Sequence, residues 1–320
     1  MRISVIIPAY NDAKDIGKAL ESLKKQTLSW GEDFEVIVVD GHSNDGTDRI
    51  AREMGAKVVY EDIGTRGGAC NVGAKQAKAG IIVFTDADAY FPRDWLEKML
   101  RKFEETGADV VGGDDILGDD ASEFEKLMFA FDIFRGRPES EKDVVNRLRG
   151  VNTAYRKEMF MKVGGFDQEL ASIEETEMHW RMKKAGAKMV FDPSIFVYHH
   201  RRRSLKGLIK QMLRNGIGRM AAIRKRHEMV SAIDILPFAG AFGLAASAAA
   251  SVMLKTFYPI AAAIGIGAAY FILKPLAISI KARRLKEYPK TALLNFVREI
   301  SFSIGLFMGL FTKKKPGKKM

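Results

Sequence analysis

The stretch FEVIVVDGHSNDGT, residues 34–47, sets the pattern for the first half of the chain. A short, mostly β-branched run ends at Asp40 and gives way to a polar turn punctuated by Gly41 and Gly46. Such a run, bounded by turn residues, reads as a strand buried on both faces, and Thr47 opens a helix reaching about Met54. Working outward, Ile3–Ile7 is a second such strand, stopped by Pro8, and Ala13–Leu28 has a helical pattern. Lys57–Tyr60 and Ile81–Thr85 add two more strands, with a helix over Ala69–Lys78 between them. Strands alternating with helices predict an α/β domain with a mostly parallel sheet and flanking helices.

In such sheets ligands bind beyond the carboxyl ends of the strands, so the residues just after each strand matter most. They are Pro8-Ala9-Tyr10-Asn11-Asp12, then Asp40 to Thr47, then Thr85-Asp86-Ala87-Asp88. Taken singly, Asn11-Asp12 can cap a helix and Ser43–Thr47 can form a turn. Together they place three polar clusters at one sheet edge. Alternation along a strand predicts that Asp86 and Asp88 point to one side, with Ala87 away. Two carboxylates so placed can share a hard divalent cation, which in turn bridges the oxygens of a diphosphate.

The charge is divided. The 320 residues carry a formal net charge of +11, yet residues 199–320 hold 23 Lys+Arg against 4 Asp+Glu, while residues 1–198 hold 28 against 36. The basic residues flank apolar runs. Ile235–Leu254 has no charge in twenty residues, enough helix to cross a bilayer core of ~30 Å. Thr256–Ile280 is a second run, interrupted at Lys274-Pro275. Arg224-Lys225-Arg226 precedes the pair and Lys281, Arg283, Arg284 and Lys286 follow it, whereas only Lys255 lies between. Positive residues stay in the cytoplasm, which predicts both ends inside and the link outside. Leu293–Phe311 contains Arg298-Glu299 and precedes Lys313–Lys315, so an interfacial or re-entrant segment is expected, with a third crossing as the alternative. Leu205, Leu208, Ile209, Met212, Leu213, Ile217 and Met220 recur at helical spacing, as in a surface-lying amphipathic helix or one packed on the first domain. The expected organisation is a cytoplasmic domain over 1–198, a basic amphipathic segment over 199–230 and a membrane region over 231–320. Membrane lipids, not nucleic acid, are the partners this charge pattern suits. No leader peptide is expected, because Met1-Arg2 leads straight into the first strand. The single cysteine, Cys70, rules out an intramolecular disulfide. The oligomeric state is not set by any residue pattern.

The order PAYN, VVDGHSNDGT, a Gly-rich loop with Asn71 and FTDADA resembles family 2 glycosyltransferases of the GT-A, Rossmann-like fold. The resemblance continues through Gly150-Val-Asn152-Thr-Ala-Tyr-Arg156, Gly164-Gly165-Phe166-Asp167 and Glu174-Glu175-Thr-Glu177 with Arg181, covering residues 3–215. It implies a nucleoside-diphosphate sugar donor bound by Pro8, Tyr10, Asp12, Asp40, Ser43, Arg66, Asn71 and Asp86. It also implies a Mn²⁺ or Mg²⁺ ion on Asp86, Asp88 and His199, or its neighbour His200, and acceptor-side roles for Asn152 and Arg181. Glu175 aligns with the family's catalytic base, where Asp is more usual, and Glu174 is the alternative. Gly41 and His42 depart from the Asp and Ser found in many members. Gln211-Met-Leu-Arg214-Asn215 resembles the QxxRW signature of processive synthases, but Asn215 replaces the Trp, so processive synthesis is not expected.

The groups themselves suit that chemistry. A diphosphate leaving group needs positive charge near it, and a hydroxyl acceptor needs a carboxylate to take its proton. The expected activity is inverting transfer to a hydroxyl of a membrane-associated, lipid-linked glycan. A polyprenyl-phosphate sugar synthase, whose acceptor is already ionised and needs no base, is the nearest rival. A non-catalytic membrane scaffold with a degenerate domain is a third reading, and it predicts missing metal ligands.

Overall fold

The computed structural model describes residues 1–134, 148–200, 202–281, 286 and 288–312. Chain contacts divide it into two units, one built on residues 1–129 and 148–203, the other on 204–312. The first runs through β1 (Ile3–Ala9), α1 (Ile16–Lys24), β2 (Phe34–Asp40), α2 (Thr47–Glu53), β3 (Lys57–Tyr60), α3 (Arg66–Gln76) and β4 (Ile81–Phe84). It continues with β5 (Ala89–Tyr90), α4 (Trp95–Thr106), β6 (Val110–Ile116), α5 (Glu123–Phe134), β7 (Thr153–Arg156), α6 (Lys157–Lys162), α7 (Glu174–Lys184) and β8 (Met189–His199). The expected boundary at 198/199 therefore falls within the last strand, and the unit continues to Arg203.

Eight strands form one sheet in the order β3-β2-β1-β4-β7-β6-β8-β5. The four that the apolar runs mark are mutually parallel; β7 runs antiparallel to both its neighbours and β5 antiparallel to β8. Both faces of the central strands are buried, as their uninterrupted apolar runs require. Alternation sends Ile3, Val5 and Ile7 into one layer with Leu20, Phe34 and Trp95, and Ile6 into the other with Ile37, Phe84 and Tyr155.

The second unit contains α8 (Leu205–Lys225), α9 (Ala232–Met253), α10 (Tyr258–Lys281) and α11 (Tyr288–Phe311). Three helical stretches, Asp234–Met253, Tyr258–Ala277 and Tyr288–Phe311, are long and apolar enough to cross a membrane. α11 is one unbroken helix, which removes the re-entrant reading and leaves an interfacial segment or a crossing. The interruption at Lys274 is paired, its ammonium lying 3.1 Å from Glu299 on α11 and 2.6 Å from the Tyr270 hydroxyl. α8 does more than lie on a surface. A Cβ on Gly216 would collide with the Phe302 carbonyl oxygen and one on Gly305 with that of Leu213, so the two glycines let α8 and α11 run together in parallel. Leu208 and Met220 are buried accordingly, whereas Leu205 and Ile209 remain exposed. Of the flanking charges, Arg283, Arg284 and Lys313–Lys315 lie outside the described residues.

Candidate active site

β1 and β2 leave the sheet together, Ala9 standing opposite Asp40. The loops that follow are tied to each other. Asn11, in left-handed backbone (φ 57°), donates its N–H to Ser43 Oγ at 2.9 Å and accepts from the Asn44 N–H at 3.0 Å. The Asp12 N–H donates to Thr47 Oγ1 (2.8 Å) and that of Ala13 to Asp45 (3.0 Å). Asp40 is fully buried, and its oxygens accept from the Ser43 N–H (2.8 Å) and hydroxyl (2.6 Å). Much of the polar equipment at these strand ends thus crosslinks two loops. Tyr10 faces solvent, Pro8 is half-buried, and His42 stacks on Tyr60 with centroids 5.2 Å apart. Half-buried Asp12 accepts from the Tyr10 N–H (2.8 Å). Burial, opposed by that bond and reinforced by the charge of Asp88, pushes the Asp12 carboxyl up to about 6.

Beyond β4 the chain turns, so strand alternation is not what aligns the two aspartates. Asp86 and Asp88 lie in a tight turn with Ala87 buried between them. Pairing of β5 with the end of β8 sets Ala89 opposite His199 and brings the imidazole Nε2 to 3.4 Å from Asp88 Oδ1. Ligand atoms of Asp86, Asp88 and His199 all lie within 4.8 Å of one another. On the far side, His199 Nδ1 sits 3.7 Å from Asp115, outside hydrogen-bond range, and has no hydrogen-bond partner among the described residues. Burial disfavours the imidazolium, yet the facing carboxylates of Asp115 and Asp88 push His199 up to about 9. Asp88, in spite of its own burial, is held below the usual carboxylate range by His199. The imidazolium thus carries a positive charge that a bound cation would supply. Two carboxylates with this histidine fit a divalent ion of the Mn²⁺ or Mg²⁺ kind. His200 is engaged elsewhere, 3.0 Å from Glu125.

The acidic helix start stands across from this triad. Ile173, a β-branched residue at φ 69°, precedes α7 and sets its direction. Glu174 turns inward and is buried, whereas Glu175 stays partly open. Arg66, the first residue of α3, joins the two sides. Its Nε donates to Asp86 (2.8 Å), Nη1 to Glu175 (3.3 Å) and Nη2 to the Gly150 carbonyl (3.1 Å). Glu174 is farther from the same guanidinium, at 3.9 Å.

Three residues expected here are not brought into the cluster. The Asn71 amide is spent on the Phe166 backbone, donating to its carbonyl (2.8 Å) and accepting from its N–H (2.9 Å). Asn152 is buried, accepting from Trp95 Nε1 (2.9 Å) and donating to the carbonyls of Asp114 (2.7 Å) and Ile195 (2.9 Å). Arg181 clamps Glu177 at 2.6 Å and the carbonyls of Val163 and Gly165. Conversely, the sequence reading passed over Asp115, 2% exposed beside His199 and held by Arg149 at 3.1 Å. Its signal was available, since Val110-Val111-Gly-Gly-Asp-Asp repeats the pattern of an apolar run ending in acids.

A mixed sheet with a carboxylate–imidazole triad at one edge and an acidic helix start opposite it agrees with the GT-A arrangement that the sequence motifs imply. Residues 4–164 match the family model described as Glycosyl transferase family 2, and the chain belongs to that family. It is 31% identical over 231 residues to the glycosyltransferase AglE of Haloferax volcanii, covering 68% of this chain and 73% of the relative. A Methanococcus voltae protein named dolichyl N-acetyl-α-D-glucosaminyl phosphate 3-β-D-2,3-diacetamido-2,3-dideoxy-β-D-glucuronosyltransferase is 26% identical over 244 residues, 70% of this chain and 74% of its own. Among solved structures, the mannosyltransferase PcManGT of Pyrobaculum calidifontis, in complex with GDP-Man and Mn²⁺, shares the fold. Its TM-score is 0.64 at 20% identity, over 97% of this chain and 87% of that one.

Proposed function

We propose that this glycosyltransferase moves a sugar, with inversion, from a nucleoside-diphosphate sugar to a hydroxyl of a lipid-linked glycan at the cytoplasmic face of a membrane. The observation that carries the reading is Arg66, whose one guanidinium touches both Asp86 on the donor side and Glu175 on the acceptor side. In the reaction, Glu175 takes the proton of the acceptor hydroxyl as its oxygen bonds to the anomeric carbon. The bond from that carbon to the diphosphate breaks on the opposite face, so a single displacement inverts the centre. Glu175 is favoured over Glu174 because its carboxylate is the more open and the nearer to Arg66. Asp86, Asp88 and His199 would hold the ion, with Asp12 alongside and Tyr10 as a face for the base. A divalent cation supplies charge neutralisation for the departing diphosphate when bound.

Two features support the acceptor class. Helices able to cross a membrane belong to the same chain, and the Methanococcus relative is named for a dolichyl-linked acceptor. The basic residues before α9 and after α10, against Lys255 alone between them, support a cytoplasmic catalytic unit. A panel of UDP- and GDP-sugars with Mn²⁺ tests the donor half. Binding and release of the nucleoside diphosphate are expected for at least one of them; binding of none, with or without metal, overturns the assignment. Glu175→Gln tests the acceptor half. Unchanged turnover in that variant would remove Glu175 as the base, and unchanged turnover in Glu174→Gln as well would shift the reading to a phosphate acceptor.

A further inference from the structure

The contacts of α11 within the second unit fix how it lies. α9 and α10 form a hairpin through 254–257, where the Ile260 N–H donates to Ser251 Oγ at 3.1 Å, so the start of α9 and the end of α10 share one level. α11 touches this hairpin along much of its own length. Thr291 Oγ1 lies 3.2 Å from Ser279 Oγ, and the Phe296 and Phe271 rings are 5.0 Å apart. Further on, Glu299 takes the Lys274 ammonium at 3.1 Å, and the Phe307 and Phe238 rings are 4.4 Å apart. From Thr291 to Phe307 is about 24 Å of helix at ~1.5 Å per residue. Measured from the open end of the hairpin, the four partners lie at about 3, 15, 10 and 9 Å on the same rise per residue. They do not deepen in order. A helix running alongside the hairpin would meet ever deeper partners as far as the link; α11 passes across the open end instead. Its own far end is held at that level too. Arg219 of α8 pairs with Asp234 in the first turn of α9 at 2.8 Å, and Arg224 of α8 donates to the carbonyls of Leu310 (3.2 Å) and Thr312 (2.8 Å).

We infer that α8 and α11 lie together in the plane of the cytoplasmic leaflet, so that α9 and α10 cross the membrane and α11 does not. The inference rests on the membrane reading above. Charge supports it. α8 runs beside α11 and carries Lys206, Lys210, Arg214, Arg219, Arg224 and Lys225. A crossing by α11 would draw this partner in with it, at about 2.5–3.5 kcal/mol for each cation near the bilayer centre. In the plane the same cations meet headgroups. Exposed Lys206 and Lys210 suit an anionic surface, each by ~1 kcal/mol. α11 has the complementary face. Gly305 and Gly309 turn to α8, where a Cβ on Gly309 would lie 2.6 Å from Met220 Cβ. Leu293, Phe296, Ile300, Ile304, Met308 and Phe311 recur every third or fourth residue and are exposed. On a helix lying in the interface, such a stripe is covered by acyl chains. The partner of this face is therefore a bilayer of anionic phospholipid.

The test uses the full chain in the membrane of intact cells. The variants are Glu228→Cys before α9, Lys255→Cys in the α9–α10 link and Thr312→Cys after α11, all at exposed positions; native Cys70 is buried and should stay unlabelled. A membrane-impermeant maleimide is expected to label Lys255→Cys from outside, and Glu228→Cys and Thr312→Cys only after permeabilisation. Labelling of Thr312→Cys from outside shows a third crossing and overturns the inference. Labelling of Lys255→Cys and Glu228→Cys from one side removes the crossing hairpin, and the membrane reading with it. Depth is read on the purified full chain in vesicles of phosphatidylcholine and phosphatidylglycerol. Bimane on Leu293→Cys, Ile304→Cys and Phe311→Cys should each be quenched more by a nitroxide near the lipid carbonyl than by one near the chain end. Stronger quenching of the Ile304→Cys label by the deep nitroxide, or quenching by neither, overturns the in-plane placement. The donor site stands or falls separately, on the nucleotide-sugar panel.

Discussion

The two acidic motifs of the catalytic unit resemble each other in sequence and differ in what the fold does with them. Asp86 and Asp88, one residue apart on a tight turn, converge on a common point with His199. Glu174 and Glu175, adjacent at the start of α7, diverge: one goes into the protein, the other to Arg66. Convergence suits the sharing of one cation, and divergence leaves one carboxylate more open than its neighbour. The spacing of acids matters less than the backbone that carries them.

The sharpest way to break this comparison is Glu175→Gln, which removes the proposed base and keeps the shape. Transfer should fall by ~10²–10⁴-fold while nucleotide binding is retained, read by steady-state kinetics and calorimetry. Asp88→Asn should instead weaken Mn²⁺ and donor binding together. A next probe lies nearly two turns along α7, where Arg181→Ala removes the two-pronged guanidinium partner of the buried Glu177 carboxylate. The expected loss of about 3–5 kcal/mol in stability should appear in denaturant unfolding. Metal titrations at several pH values sharpen the other side. Burial pushes the Asp12 carboxyl up to about 6, and the facing carboxylates of Asp115 and Asp88, against burial, push His199 up to about 9, so below those values protons occupy the surroundings a cation needs. Mn²⁺ affinity should therefore rise with pH from 5.5 to 9, by up to about tenfold per unit for each proton displaced. A flat profile would argue against the triad. The smallest effect is expected for Glu174→Gln, which should leave turnover near wild type; a loss as large as that of Glu175→Gln would reassign the base.

Much of the scaffold was legible because burial on both faces leaves an unbroken apolar signature. Lys57–Tyr60 is a strand with the boundaries read from sequence, and both long apolar runs are helices. What could not be read depends on contacts distant in sequence. The antiparallel placement of β7 is a sheet-level choice, and the close approach of α8 to α11 needs Gly216 and Gly305 together. The candidate site divides in the same way. Asp86, Asp88, His199, Arg66 and Glu175 come together, but Asn71, Asn152 and Arg181 carry motif positions whose polar atoms satisfy buried backbone or a buried carboxylate. A motif marks residues that a fold depends on, without saying whether the dependence is chemical or architectural. Asp115 was missed because two valines followed by two glycines make a weak strand signal.

Ile173 bears on how this protein would respond to laboratory selection. A β-branched residue at φ 69° stores roughly 1–3 kcal/mol of backbone strain immediately before α7. Glycine or asparagine there would relieve it, so a screen for heat resistance alone would tend to enrich changes at this position. The same substitutions would loosen the backbone that leads into Glu174 and Glu175, so the hardier variants are expected to turn over more slowly.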